Sequence, residues 1–302
     1  MPYLLLTLTA LIWSGNFVLG RGVQGIIPPL SLGFWRWLIA LIVLAPFAWP
    51  HFWRQRALIR QHAALISLQG LLAVTGFNTL LYVAVQYTTA INAVLVNSIT
   101  PILIALFAWL LHRETLRPRQ LLGIVLSFGG VLLILARGEV SQLLALSFNR
   151  GDILVLLAAS GWAIYAVTLR QLPKDLHPFA FLFAINAIGL VGLLPLYLLE
   201  LQQGLRIPMA GPVLLAIAYV ALCASVLAFL CWNYAVRVVG ANRAGPFVHL
   251  MPVFSTILAI VFLHEEPAWH QARGAALIFT GIVLATYKIG RSKGKQFSAH
   301  ER

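Results

Sequence analysis

Ten apolar stretches, set apart only by short breaks, constrain this chain more than any other feature. They cover roughly 3–21, 30–49, 63–86, 91–111, 118–136, 153–170, 178–199, 211–236, 241–263 and 268–288. A helix crossing a bilayer needs about 20 mostly apolar residues, and each stretch comes close to that. The breaks hold Pro28, Pro29, Pro50, Pro118, Pro173, Pro178, Pro208 and Pro267, where helices are expected to stop or start. Only 10% of the 302 residues are charged and 61% are hydrophobic, against about 25% charged in a soluble domain. That is too little polar surface to face water all round. The expected class is an all-α integral membrane protein with ten transmembrane helices. The first stretch lacks a basic leader, contains Trp13 and Asn16 and ends at Arg21, so it reads as a spanning helix rather than a signal peptide.

A net charge of +13 suggests nucleic acid in a soluble protein. Here the cations sit in the breaks, so the lipid bilayer is the expected partner and nucleic acid is not. With the N-terminus placed in the cytoplasm, 15 lysines and arginines fall on inside loops and the tail, 5 fall outside, and Arg36 lies within a span. That bias places both termini inside. Cys223 and Cys231 share one apolar run and cannot reach each other, so neither a disulfide nor a metal site is expected.

The chain repeats itself. Pro101, Glu114, Gln120, Gly123 and Gly130 recur as Pro252, Glu265, Gln271, Gly274 and Gly281, at an offset of 151. Trp13, Arg21, Pro29 and Pro46 recur as Trp162, Arg170, Pro178 and Pro195, at an offset of 149. The expected units are residues 1–136, residues 153–288 and a basic cytoplasmic tail over 289–302. Each unit holds five spans, an odd number, so the second enters the membrane from the opposite side. Inverted repeats of this kind are common in secondary transporters, where substrate sits near the midplane and the halves rock against each other.

These residues carry a resemblance. The Pro101…Glu114…Gln120…Gly123…Gly130 pattern and its second copy resemble the EamA-type transporters of the drug/metabolite transporter superfamily. Trp13-Ser14-Gly15-Asn16 and Arg36, following Pro28-Pro29, fit the same family, and within it the YddG-type amino acid exporters. The resemblance extends over nearly the whole chain. It implies a bacterial inner-membrane location and a central cavity walled mainly by spans 1, 3, 4, 6, 8 and 9. It also implies that spans 5 and 10 pack away from the cavity, and that the cargo is aromatic and other neutral amino acids.

Polar residues inside spans are costly and usually face a cavity or a partner helix. Asn78 and Tyr82 share a helix face, as do Asn97 and Pro101, with Thr100 beside them. Pro101 cannot donate to the carbonyl of Asn97, and Pro252 leaves that of Val248 free beside His249. Such a carbonyl either lines a substrate wall or marks a plain kink. Trp13 and Asn16 share a face of the first span, Trp162 and Tyr165 one of the sixth, and Tyr234 lies in the eighth beside Trp232. Aromatic faces with polar tips suit a neutral ligand bearing an apolar side chain. Arg36 is either a contact for a substrate carboxylate or a snorkelling side chain. Asn186 reads as interhelical glue.

All eight acidic residues fall at span ends or loops. A proton- or sodium-driven pump therefore has no obvious carboxylate, and His249 is the one deep titratable candidate. Downhill export is the simpler expectation; a nucleoside or drug-like cargo with proton coupling is the alternative. Glu114 and Glu265 are expected to stabilise the helix N-termini that follow them. Gly123, Gly130, Gly274 and Gly281 mark close helix packing, within a monomer or in a weak dimer. No nucleophile, paired carboxylate or cofactor motif points to an enzyme, and no cofactor is expected.

Overall fold

The computed structural model describes residues 1–22, 27–84, 86–139, 141–142, 148–208, 210–263 and 266–286. Among them all regular structure is helical. Without water inside a bilayer, backbone groups must all bond within the protein, and only helices or closed barrels achieve this. In chain order the helices are α1 (Pro2–Gly22), α2 (Pro29–Arg54), α3 (Arg56–Gln61), α4 (Ala63–Gly70), α5 (Phe77–Ala84), α6 (Ala90–Asn97), α7 (Thr100–His112) and α8 (Pro118–Leu135). Then come α9 (Arg150–Thr168), α10 (Pro178–Gln202), α11 (Gly211–Tyr219), α12 (Ala228–Val239), α13 (Ala241–Ala244), α14 (Leu250–Leu263) and α15 (Trp269–Thr286).

Eight continuous helical stretches among the described residues are long and apolar enough to cross a membrane. α1, of 21 residues, and α15, of 18, fall outside that count although both match expected spans. Four spans are not single regular helices. A π turn over Leu71–Gly76 joins α4 to α5, and another over Val220–Leu227 joins α11 to α12. The fourth span breaks between Asn97 and Thr100, and the ninth contains a 3-10 segment, Gly245–His249. Pro50 was expected to end a helix, yet α2 runs through it to Arg54. The tail over 289–302 lies outside the described residues.

Helix ends are held by side chains, and not by the expected ones. Gln120 Oε1 accepts from Arg117 N at 3.0 Å, and Gln271 Oε1 accepts from Ala268 N at 2.9 Å. So the repeated glutamine caps both α8 and α15, and at α8 the expected glutamate does not. Glu114 instead pairs with Arg170 and accepts from Asn242 Nδ2 at 3.2 Å, and Glu265 lies outside the described residues. Two other carboxylates are buried, against the expectation that acidic groups stay near water. Asp152 is 1% exposed and Glu200 5%. Asp152 accepts from Asn149 N (2.9 Å) at the start of α9 and from Thr88 Oγ1 (2.5 Å). Glu200, near the end of α10, takes Leu30 N (3.2 Å), Ser31 N (2.5 Å) and Ser31 Oγ (2.6 Å) at the start of α2. Each carboxylate is held by the positive end of a helix and by donors that satisfy it.

The repeated glycines bring α8 and α15 into backbone contact within one chain. A Cβ on Gly123 would strike Gly281 O, and one on Gly130 would lie 2.5 Å from Gly274 O. α10 packs on α2, where the Asn186 amide, oriented with its nitrogen toward Trp37 O (3.2 Å), also accepts from Leu41 N (3.3 Å) across the seam. α1 packs on α12 and α14, and α9 on α5, α6 and α7. Gly129, beside Gly130, has open space where its Cβ would be. We expect Gly123→Ala and Gly281→Ala each to destabilise the detergent-solubilised protein by about 1–3 kcal/mol. Gly129→Ala should be neutral or slightly stabilising. Thermal melts of the three variants check this.

Candidate functional site

α1, α9 and α12 turn aromatic faces toward one another. Trp13 and Trp162, equivalent in the repeat, meet edge to face with centroids 5.2 Å apart. Phe229 lies 6.0 Å from Trp13 and 5.6 Å from Trp162; Trp232 lies 5.5 and 5.8 Å from the same two rings. Phe77 from α5, Tyr165 from α9 and Trp37 from α2 extend the cluster. The rings pack on one another, and Trp162, Tyr165 and Trp232 are buried, so the cluster is closed in this conformation.

Polar atoms rim the rings. Tyr165 Oη donates to Asn233 Oδ1 at 2.5 Å, and Trp13 Nε1 donates to Ala224 O at 3.1 Å. Among the described residues, the buried donors Trp37 Nε1, Trp232 Nε1 and Asn233 Nδ2 have no hydrogen-bond partner. Neither do the buried acceptors Gln69 Oε1 and Asn97 Oδ1. Leaving such a group unpaired costs about 1–3 kcal/mol.

Arg36 is not at the surface. It is 3% exposed, donating Nε to Ser225 Oγ (2.8 Å) and Nη1 to Asn78 Oδ1 (3.4 Å). The snorkelling account is thereby excluded. Ser225 sits in the second π turn and Asn78 just after the first. Shifted by 151, Leu71–Gly76 falls on 222–227, so the two π turns occupy equivalent places in the repeat. π turns often mark functional positions, because the extra residue re-aims the side chains that follow.

The other expected residues divide. Asn78 is buried and Asn16 half-buried on the α1 face of Trp13. The side chain of Tyr82 lies outside the described residues. Thr100 is buried and donates to Asn97 O at 2.5 Å, so the carbonyl that Pro101 frees is already bonded. Pro252 follows the 3-10 segment that ends at His249. His249 is 1% exposed, with Nε2 2.8 Å from Ser98 O and Nδ1 2.7 Å from Ser127 Oγ. Tyr234 is 48% exposed and takes no part in the cluster, whereas its neighbours Trp232 and Asn233 face inward. Asn233, Ser225, Phe229 and Phe77 were not foreseen; a helical-face argument anchored on Trp232 rather than Tyr234 would have found Phe229.

One end of the bundle is stitched across the repeat. Glu114 pairs with Arg170 beside a cleft of ≈ 250 Å³ that Arg237 and Gly240 also line. Arg237 Nη2 donates to Pro173 O at 2.6 Å. Gln55 donates to Asp175 O (2.7 Å) and accepts from His177 N (2.9 Å). His51 and His177 stack face to face with centroids 3.6 Å apart. His51 Nδ1 faces the Arg54 guanidinium at 3.4 Å and His177 Nδ1 accepts from Phe179 N at 3.3 Å, so both contacts require a bare Nδ1.

Comparison with known proteins follows the same lines. A profile of the EamA-like transporter family matches residues 1–136 and 149–287. An uncharacterised transporter of Archaeoglobus fulgidus is 31% identical over 295 residues, covering 95% of this chain and 97% of that protein. The uncharacterised transporter YyaM of Bacillus subtilis is 28% identical over 284 residues, covering 94% and 93%. A crystal structure superposes with a TM-score of 0.76 at 22% identity, over 94% of this chain and 96% of that one; it shares the fold.

The His177 site carries a pH dependence. Burial, then His51, then Arg54 lower its pKa from the ordinary value. The ring is therefore neutral in the fold at a pH where the unfolded chain, with an ordinary pKa of about 6.5, binds a proton. Its contribution to stability is complete above that pH and is lost as pH falls through the lowered folded value. Melting temperature should drop on acidification below about pH 6.5, and less steeply in His177→Gln. A slope unchanged in that variant would place the acid sensitivity elsewhere.

Proposed function

Because the chain belongs to the EamA-like transporter family, we propose that it exports neutral and aromatic amino acids by alternating access. It is a multi-pass membrane transporter rather than an enzyme. In the proposal its ten spans form two five-helix repeats of opposite topology, covering residues 1–136 and 153–288. Both termini face the cytoplasm of a bacterial inner membrane.

The observation that carries the cargo is the aromatic cluster with the unpaired donors Trp37 Nε1, Trp232 Nε1 and Asn233 Nδ2 among its members. A zwitterion with an apolar side chain matches both. Its carboxylate accepts from Trp232 Nε1, Asn233 Nδ2 and Arg36, and its ammonium donates to Gln69 Oε1 or Asn97 Oδ1. Its side chain lies against Trp13, Trp162 and Phe229, with Asn16, Asn78, Thr100 and Tyr165 completing the wall. Among the described residues a cationic drug finds no carboxylate in the cluster. The stitched end, with Glu114, Arg170, His51 and His177, is then the closed cytoplasmic gate.

Facilitated, downhill export remains the simplest driving mode. Asp152 and Glu200 are buried, but helix N-termini and hydroxyls occupy both. A second reading, proton coupling, rests on His249. Nε2 faces a carbonyl and must carry a proton. Ser127 has one hydroxyl proton for two acceptors, His249 Nδ1 and Ile124 O at 3.0 Å. Protonating the ring lets every one of these contacts form.

Uptake of labelled phenylalanine, methionine and threonine into proteoliposomes, with and without a pH gradient, tests the proposal. Saturable flux indifferent to the gradient is expected. Trp162→Ala and Asn233→Leu should each weaken half-saturation about tenfold, the equivalent of 1.4 kcal/mol. Gradient-driven flux that vanishes in His249→Gln would establish the second reading. A folded protein that moves no amino acid, but does move a nucleoside or drug-like compound, would overturn the cargo.

A further inference from the structure

The first acidic residue in the chain is Glu114, so α2 and α3 carry no negative side chain to offset their cations. Where α2 meets α3, Trp49 and Trp53 stand one turn apart, 51% and 54% exposed. Their rings stack at 5.8 Å and 23°, and with Pro50 and Arg54 they wall a shallow groove of ≈ 520 Å³. Arg54 donates Nε to Pro50 O at 3.2 Å and approaches His51. Arg56 donates Nη1 to Trp53 O at 3.2 Å and lies over the Trp53 ring at 4.7 Å. Among the described residues neither guanidinium lies within ion-pair distance of a carboxylate. Arg60, one turn on along α3, is exposed. The carbonyl contacts fix Arg54 in the groove wall and Arg56 over the Trp53 ring that forms part of it, and leave other N–H donors for an anion.

We infer that this groove binds an anionic phospholipid, its phosphate on Arg54 and Arg56 and its upper acyl chain along Trp49 and Trp53. Three features favour a lipid over a soluble anion. The groove lies at the end of a helix long and apolar enough to span, the level at which indoles settle in the interface. Its walls are apolar and exposed, so an occupant with hydrocarbon covers them and inorganic phosphate does not. Its cations are arginines, whose planar fork fits a phosphate bidentately. The site depends on neither the cargo nor the direction of transport.

The test uses the full-length purified protein in a neutral detergent. Dioleoyl phosphatidylglycerol, dioleoyl phosphatidylcholine or inorganic phosphate is titrated in, with bound lipid counted by native mass spectrometry and melting temperature followed in parallel. Phosphatidylglycerol is expected to bind in preference and raise the melting temperature. Arg54→Gln/Arg56→Gln should weaken it about 30-fold, about fivefold for each arginine near a charged surface. Trp49→Leu/Trp53→Leu keeps the charges and an apolar wall, and serves as a second variant should the first fail to fold; it should lose part of the binding. Equal binding of phosphatidylcholine, phosphatidylglycerol adducts undiminished in the folded variants, or a melting shift reproduced by inorganic phosphate would each overturn the assignment.

Discussion

The structure depends on one constraint: in an apolar solvent every polar group must find its partner inside the protein. The helices satisfy most of the backbone. What remains explains the irregularities. Where Pro101 interrupts its helix, Thr100 supplies a hydroxyl to the carbonyl of Asn97. Where Arg36 enters the interior, a π turn offers Ser225 and the helix after the other π turn offers Asn78. Where Asp152 and Glu200 are buried, helix N-termini receive them. A charge without these partners would be too costly to keep in place.

The same constraint separates the ordinary seams from the unusual ones. α8 and α15 touch through glycine backbone, a dense contact in which Ser127 also takes part, its hydroxyl bonded to Ile124 O within α8. α2 and α10 meet through Asn186 and through the caps at their ends. By contrast, α1, α5, α9 and α12 meet through large rings, with the donors Trp232 Nε1 and Asn233 Nδ2 unpaired among them. A protein interior rarely tolerates that combination without a ligand or water to complete it.

The two ends of the bundle also differ in chemistry. At one, carboxylates cap helices in buried positions. At the other, Glu114, Arg170, Gln55 and a pair of stacked imidazoles join segments of the two repeat units, and Arg237 ties two segments within the second. Exposed and partly exposed polar contacts are individually weak, which suits that end to the role of gate in the proposed cycle.

The sequence by itself determined the membrane class, the repeat and much of the cluster. Apolar length, proline placement and offsets of 149 and 151 are local or pairwise properties, and Trp13, Trp162 and Tyr165 follow from helix periodicity. Asn186 was legible as interhelical glue for the same reason: a lone amide in an apolar helix has few alternatives. Tertiary structure decided the rest. Tyr234 and Asn233 are adjacent, and only the roll of α12 against α9 turns one outward and the other toward Tyr165. That roll is set after a π turn, whose extra residue leaves no composition signal. Asp152 and Glu200 sit at span ends, where a sequence reading places them in water. Whether such a residue is buried depends on which helix N-terminus arrives opposite it, a relation between segments distant in the chain.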